Sequence, residues 1–256
     1  MRAPLSLRVV RTLMRAVPPL PRALGLANHI VRPWFAHRCS EPVDVWVEGA
    51  RMTLDPRQHV DALLLFGGHL LDRTERRFLA RRLAPGEVFV DAGAYLGLYA
   101  LTLAPVVGRG GRVLCIEAHD ATAARLRTHL DDNGLSWVDL ATVALMSHSG
   151  TASLVLDDGA NAGSRRVQPG ADLPARTLPQ VLRDAGIVRA HAVKTDLEGQ
   201  DAGVVDNALS TLPRASWPHT WVCESPREDD AVSPILRSAG YRVERLSRLN
   251  VAASLD

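Results

Sequence analysis

Four acidic residues come directly after apolar segments, at the positions where β-strands are predicted to end. They are Asp91, Glu117, Asp196 and Glu224. The carboxyl ends of parallel strands lie along one rim of an α/β sheet, and ligands bind at that rim. A carboxylate there can accept hydrogen bonds from hydroxyl groups, attract a cation or take up a proton. Acids at strand ends can also simply face solvent, but four of them on one rim favour a binding site.

The first of these acids belongs to a segment that combines a strand, a turn and the start of a helix. The apolar run from Val88 to Val90 predicts a buried strand, and Asp91 follows it. Gly93 permits backbone angles that other residues avoid, and it lets a ligand approach the main chain. Gly97 is predicted on the first helical turn, where a missing side chain allows close packing of strand and helix. The alternative is a turn with a structural role alone.

The charge of this turn indicates which ligand it suits. The dinucleotide pattern G-x-G-x-x-G is not met, because the chain has D-x-G-x-x-x-G from Asp91 to Gly97. A carboxylate at the mouth of the turn repels a pyrophosphate and suits a ligand with cationic groups. S-adenosylmethionine carries a sulfonium and an ammonium. We therefore predict that Asp91, Gly93 and Gly97 hold its methionine part.

The second acid is predicted to bind a ribose. Glu117 follows Asp91 by 26 residues, close to the spacing of about 20 at which an acid reaches ribose hydroxyls. A carboxylate can accept two hydrogen bonds from a cis-diol. His119 is a candidate for a position near the adenine. The alternatives are a solvated loop acid for Glu117 and a surface position for His119.

Strands and helices alternate regularly through the rest of the chain. Predicted strands are residues 88–90, 113–116, 137–145, 190–195, 220–223 and 241–246, with 250–255 as a last, antiparallel strand. Predicted helices are residues 59–82 with an interruption at Gly67-Gly68, 95–104, 120–132, 177–186, 201–212 and 229–239. This alternation predicts an α/β, Rossmann-like fold with a mostly parallel, doubly wound sheet. Residues 157–176 are predicted to be a long loop that covers the site or lies exposed on the surface.

The amino-terminal part differs from the rest in charge. Residues 1–40 contain seven arginines and no acid, and Leu5, Val9 and Leu13 recur every four residues. This pattern predicts a basic extension with a short amphipathic helix that contacts an anionic membrane. The alternatives are a poorly ordered extension and a lid over the domain. We predict residues 41–84 to be a hairpin, from Val43 to Leu54, followed by helices, and residues 85–256 to be the Rossmann-like domain. The arginines interrupt any signal-peptide core, which argues against secretion.

Composition excludes several classes of protein. The chain has 256 residues, 46% of them apolar, and a net charge of +2, which predicts no nucleic-acid partner. The three cysteines are far apart and show neither metal-ligand spacing nor a disulfide framework, so no metal is predicted and a reducing cytoplasm fits best. No apolar run approaches the roughly 20 residues of a membrane span.

Three segments together resemble the FkbM family of S-adenosylmethionine-dependent methyltransferases. They are Val88–Ala94, Ile116–His119 and the K-x-D-x-E-G element Lys194–Gly199, and the similarity covers roughly residues 45–250. The first two segments are common to many class I methyltransferases, whereas the third is more distinctive. The chain departs from the family at Tyr95, where Asn is usual and where a bulkier ring could narrow the methionine end of the pocket, and at Ala118, where Pro is usual.

The resemblance implies transfer of a methyl group to a hydroxyl of a small molecule, a sugar or a glycolipid. An oxygen attacks the methyl carbon in line, and a base takes the hydroxyl proton. Asp196 and Glu198 are the candidates for that base, although Glu198 could instead cap the helix that follows. Two other functions stay open at this point. One is an NAD-dependent oxidoreductase, disfavoured by the missing third glycine, and the other is a non-catalytic cofactor-binding member of the fold.

Overall fold

The structure, a computed structural model, describes residues 9–10, 12–13, 31–36, 39, 41–156 and 165–255. The chain divides into two compact units. The first is Met1–Arg73 with Leu156–Ser164, and the second is Thr74–Val155 with Arg165–Asp256. The domain boundaries expected at residues 40 and 84 stay a prediction.

The first unit contains a hairpin and a helix that packs on it. Its elements are α1 (Arg32–Ala36), β1 (Val43–Val47), β2 (Ala50–Leu54) and α2 (His59–Gly67). β1 and β2 pair antiparallel, as the sequence predicts, with inward-facing Met52 and Leu54 fully buried. The buried carboxylate of Asp61 accepts the backbone N–H of Asp55 at 2.8 Å, which fixes the entry into α2. Most of the expected basic helix lies outside the described residues, although residues 9–10 and 12–13 are helical.

The second unit contains a large sheet with helices around it. Its first elements are α3 (Arg73–Arg82), β3 (Val88–Ala92), α4 (Leu98–Val107), β4 (Arg112–Glu117), α5 (Asp120–Asp132), β5 (Asp139–Thr142) and β6 (Ala144–Leu145). They are followed by β7 (Gly150–Leu156), β8 (Arg165–Pro169), β9 (Leu173–Arg176), α6 (Leu178–Asp184), β10 (Ala192–Thr195) and α7 (Asp201–Thr211). The last elements are a 3₁₀ turn (Arg214–Ser216), β11 (Thr220–Glu224), α8 (Val232–Ser238), β12 (Arg242–Arg245) and β13 (Asn250–Ser254).

The large sheet has seven strands in the order β12-β13-β11-β10-β3-β4-β5. β3 pairs parallel with β4 and with β10, whereas β13 pairs antiparallel with both β11 and β12. The predicted Rossmann-like sheet with an antiparallel last strand is therefore confirmed. The last strand lies inside the sheet, between β11 and β12, and not at its edge. The strand order reverses on either side of β3, which places the switch point at the carboxyl ends of β3 and β10.

Continuous apolar runs explain why these strands form the centre. β4 and β10 are buried along nearly their whole length because helices cover both faces of the sheet. One core cluster joins Val90, Ile116 and Val193 from the strands to Leu178 and Val204 from the helices. This two-sided packing fixes the strand ends from which the rim residues project.

The structure differs from the sequence prediction in the region after β4. The third predicted strand is two short strands, β5 and β6, and part of the predicted loop 157–176 forms β8 and β9. β8 and β9 join β6 and β7 in a four-stranded sheet, the second sheet of this unit, with the order β6-β9-β7-β8. Glycine, proline and aspartate disfavour strands in isolation, but the pairing with β7 outweighs that preference. Residues 157–164 lie outside the described residues.

Two smaller features complete the fold. α3 begins at Arg73 and has two arginines, Arg81 and Arg82, in its last turn. Across the described part of the chain, every helix is too short or too polar to cross a lipid bilayer.

Candidate active site

The four predicted acids do end neighbouring strands of one sheet. Asp91 lies in β3, Glu117 ends β4, Asp196 follows β10 and Glu224 ends β11. These strands run parallel and are consecutive in the sheet, so the carboxyl ends form one rim. The loop from Ala92 to Gly97 crosses this rim next to Asp196, and we call it the first turn.

The first turn has an unusual backbone. The φ angles are +76° at Gly93, +48° at Tyr95 and +87° at Gly97, so three of its residues are left-handed. The N–H groups of Gly93 and Ala94 both donate to the carbonyl oxygen of Ile116, at 2.9 and 3.1 Å, and hold the turn against β4. Asn tolerates a left-handed conformation better than an aromatic residue, so Tyr95 costs about 1 kcal/mol of backbone strain.

Two glycines allow close approaches that any side chain would block. A Cβ on Gly93 would overlap the carbonyl oxygen of Asp196, and a Cβ on Gly97 would overlap a methyl group of Leu126 in α5. Gly93 therefore lets the ends of β3 and β10 meet, and Gly97 lets α4 start directly against α5. The predicted role of Gly97 in close packing is consistent with this arrangement, although its partner is a helix.

Glu117 fastens the first turn to the end of β4. One of its carboxylate oxygens accepts the N–H of Tyr95 at 3.0 Å, and the other accepts the N–H of His119 at 3.0 Å. Burial raises the pKa of Glu117, whereas the two N–H groups lower it. Each carboxylate oxygen has a second lone pair, so Glu117 can still accept hydrogen bonds from a diol.

His119 precedes α5, and its ring is held in place from within that helix. Its Nδ1 lies 2.8 Å from the hydroxyl of Thr122. The residue is half-buried and stands beside Glu117 in the chain. This position suits the expected contact with an adenine, and that contact stays a prediction.

The structure corrects the expected position of Asp91. Its side chain was predicted at the mouth of the turn, facing a ligand, but the residue is 0% exposed. The Nζ of Lys194 lies 3.7 Å from its Oδ1. Burial raises the pKa of Asp91, whereas the Lys194 charge and the N–H of Ala100 lower it. A ligand at the rim does not reach this buried carboxylate, so any part that Asp91 plays in cofactor binding is exerted through its neighbours.

Asp196 is the acid that reaches solvent at this end of the sheet. Its side chain is 43% exposed, and its Oδ2 lies 3.6 Å from the Nζ of Lys194. Its backbone N–H donates to the carbonyl of Ala92 at 3.1 Å, which joins β10 to the first turn. Asp196 can therefore meet an acceptor molecule while a buried cation stabilises its negative charge.

The sequence suggested two alternative roles for Glu198, the base that takes the proton and a cap of the helix that follows. Glu198 has a left-handed backbone with φ of +51° and is half-buried. The acid that binds the chain before α7 is Asp201, whose carboxylate accepts the N–H of Leu197 at 3.1 Å. Burial raises the pKa of Asp201 to about 6, with the Thr195 hydroxyl opposing the shift and the Asp196 charge adding to it.

Glu224 lies on the rim beside these acids. Burial and, after it, the negative charges of Asp196, Asp201 and Glu198 together raise the pKa of Glu224 to about 8. Near neutral pH, Glu224 is therefore largely the protonated partner of this group. A carboxylic acid held in this way can donate a hydrogen bond to Asp196.

Several of these contacts leave no signal in the sequence. Asp201 was not a candidate, and Tyr99, in an apolar helix, gave no sign that its ring lies 5.0 Å from the Nζ of Lys194.

No group of three or more His, Cys, Asp or Glu among the described residues is arranged to hold a metal ion. A cavity of about 590 Å³ extends along the edge strand β5, between Arg112 and Arg176, and the first turn does not line it.

Comparison with known proteins supports the fold and does not identify a family. No protein-family model matches the chain, and no curated protein matches it significantly. Among solved structures, a SAM-dependent methyltransferase of Streptococcus mutans is similar with a TM-score of 0.50 and 10% identity, over 85% of this chain and 56% of that one. A SAM-dependent O-methyltransferase of Thermotoga maritima has a TM-score of 0.46 and 15% identity, over 70% and 64%. An rRNA methylase of Clostridium thermocellum has a TM-score of 0.44 and 13% identity, over 71% and 92%. The chain has a class I methyltransferase-like α/β fold.

Proposed function

We propose that this protein is an S-adenosylmethionine-dependent methyltransferase of the FkbM type that methylates a hydroxyl group. The observation that carries the proposal is the hydrogen bond from the Tyr95 N–H to Glu117. It brings a carboxylate suited to ribose hydroxyls against the first turn, at the switch point of the sheet. The class I fold supports the same conclusion.

The residues around the first turn fit the proposed cofactor. Glu117 accepts the ribose hydroxyls through its second lone pairs, and His119 lies beside the adenine. The turn from Gly93 to Gly97, including Tyr95, contacts the methionine part. Asp91 acts on this turn through Lys194, which lies 3.7 Å from its carboxylate and donates a hydrogen bond to the Gly93 carbonyl. The carboxylate that can meet a cationic ligand at this rim is therefore that of Asp196, with a side chain 43% exposed, and not that of Asp91.

The chemistry is displacement at a methyl carbon. S-adenosylmethionine supplies a methyl group on a positively charged sulfur. The acceptor oxygen bonds to this carbon as the carbon–sulfur bond breaks, and the hydroxyl proton must leave. Asp196 is our candidate to take that proton because its side chain is 43% exposed at the rim of the sheet. Glu198, with its left-handed backbone at the same rim, is the second candidate.

The acceptor is proposed to be a small molecule, a sugar or a glycolipid. The resemblance of Lys194–Gly199 to the FkbM motif supports this class, and the net charge of +2 offers little attraction for a nucleic acid. An RNA acceptor is nevertheless tested alongside, since similar folds occur in proteins described as RNA methylases. The arginine-rich first 40 residues are proposed to bring the enzyme to anionic membranes.

The site of action is proposed to be the cytoplasm. Cys39, Cys115 and Cys223 are all free and buried, which agrees with the prediction of reduced thiols. Burial raises the pKa of each of them, so none is a reactive thiolate.

Two measurements test the proposed function. Titration calorimetry with S-adenosylmethionine and, separately, with NADH decides which nucleoside binds. A screen with methyl-labelled cofactor against sugars, polyketides, glycolipids and an RNA pool then identifies the acceptor. Binding of NADH without binding of S-adenosylmethionine would reject the proposal. Cofactor binding without transfer to any acceptor would indicate a non-catalytic protein.

A further inference from the structure

Lys194 is the only lysine among the 30 basic residues of the chain, and it is buried at the centre of the candidate site. The residue is 5% exposed. Its Nζ donates a hydrogen bond to the carbonyl oxygen of Gly93 at 2.9 Å. The same ammonium lies 3.7 Å from Asp91 and 3.6 Å from Asp196. A buried lysine needs such partners because burial penalises its charge.

The strand register explains this arrangement. Lys194 in β10 is the direct neighbour of Asp91 in β3, so both side chains leave the sheet on the same face. Side chains two residues apart along a strand also share a face, which places Asp196 next to Lys194 at the strand end. From the other side, the ring of Tyr99 in α4 lies 5.0 Å from the ammonium, a cation–π distance.

Lys194 makes more contacts than it would need if it only neutralised the charge of Asp91. The hydrogen bond to Gly93 joins the ammonium to the first turn, where three residues are left-handed and must be held in place. The contact with Asp196 joins the same ammonium to the exposed acid. One buried cation thus connects the segment expected to bind the cofactor with the carboxylate expected to take the proton.

The geometry points to Lys194 as a positioning residue that sets the shape of the first turn and the orientation of Asp196 together. This inference rests on the proposed function and adds to it a residue that touches neither the cofactor nor the acceptor. Loss of the ammonium removes a charge-assisted hydrogen bond from the Gly93 carbonyl. The expected result is weaker binding of S-adenosylmethionine, by about tenfold to a hundredfold.

The test separates positioning from simple charge compensation. Lys194→Met alone leaves the buried Asp91 without a cation and is expected to fold poorly. The informative comparison is therefore Asp91→Asn against the double variant Asp91→Asn with Lys194→Met, in the full-length protein. Asp91 is uncharged in both, so the two proteins differ only in the ammonium. Circular dichroism checks folding, and calorimetry measures the affinity for S-adenosylmethionine.

Each outcome decides the matter. Binding of S-adenosylmethionine that is ten- to hundredfold weaker in the folded double variant than in Asp91→Asn supports the inference. Equal affinities for the two variants would mean that Lys194 only neutralises Asp91, and the inference would be wrong. Absence of binding by the wild-type protein would instead reject the proposed function, which keeps the two failures distinct.

A second measurement uses the wild type and does not depend on the folding of any variant. Because Lys194 is the only lysine, incorporation of ¹³Cε-lysine gives a single NMR signal that needs no assignment. Addition of S-adenosylmethionine is expected to shift this signal as the first turn closes on the ligand. If calorimetry shows binding while the signal does not move, Lys194 does not sense the turn and the inference is overturned.

Discussion

Replacement of Gly93 by alanine tests the central geometry of the site. Alanine at φ of +76° costs about 1–2 kcal/mol, because its Cβ crowds the following carbonyl. The Cβ would in addition overlap the carbonyl oxygen of Asp196, and this oxygen cannot rotate away as a side chain could. The main chain must shift, which adds about 2 kcal/mol. We expect Gly93→Ala to lose about 3–4 kcal/mol of the free energy of unfolding.

Gly134→Ala is the matched control. Gly134 has a φ of +68°, but nothing lies within 4 Å of the position that its Cβ would take. The control therefore includes the backbone strain and omits the overlap, with an expected loss of about 1–2 kcal/mol. Urea unfolding of both variants, with an unchanged dependence on urea concentration, gives the two free energies. Calorimetry should show at least tenfold weaker binding of S-adenosylmethionine for Gly93→Ala alone.

Similar losses in the two variants would refute this reasoning. A difference below about 0.5 kcal/mol is within the usual error of additivity and would mean that the turn and Asp196 are not in close contact. Normal cofactor affinity in a destabilised Gly93→Ala variant would separate the fold from the function. In that case the first turn would have a structural role only.

Further predictions concern three other positions. Glu117→Gln keeps the shape of the side chain but can no longer accept the N–H of both Tyr95 and His119, so calorimetry should show cofactor affinity about ten- to a hundredfold lower. Asp201→Asn should flatten the pH dependence of stability between about pH 4 and 6. The pKa of the Asp201 carboxyl is higher in the folded protein than in the unfolded chain. Its contribution to the free energy of unfolding is therefore fully present below the unfolded pKa and is lost as the pH rises to about 6. The loss amounts to about 3 kcal/mol. Urea unfolding at several pH values measures it, and an unchanged slope in the variant would contradict the assignment. Arg112→Ala breaks an exposed ion pair with Asp139 and should change the unfolding free energy by less than about 1 kcal/mol.

The central sheet could be predicted from the sequence because its strands are buried on both faces. Such strands appear as short continuous apolar runs, and the runs that include Val90, Ile116 and Val193 all form strands at the core. The second sheet could not be predicted in this way. β8 and β9 lie in a segment rich in glycine, proline and aspartate, and they exist because β7 and β6 offer hydrogen-bonding partners that are distant in sequence.

For the candidate site, the sequence indicated the acids and not their environments. Asp91 follows an apolar run and was expected to face a ligand, but strand register places it beside Lys194, where it is fully buried. Register depends on the pairing of segments about 100 residues apart, for which a single sequence carries no local pattern. Tyr99 was missed for the same reason, since its partner lies on another element. Glu117 could be recognised because its distance from Asp91 in the sequence reflects one strand–helix unit.

The position of β13 has a consequence for how the protein assembles during synthesis. Within the described residues, β12 is joined to the large sheet through β13 alone. β12 is translated first, so it leaves the ribosome with no partner and waits until residues 250–254 can enter between it and β11. The apolar edge of β11 therefore stays unpaired until β13 has been made, and an unpaired edge of this kind favours aggregation.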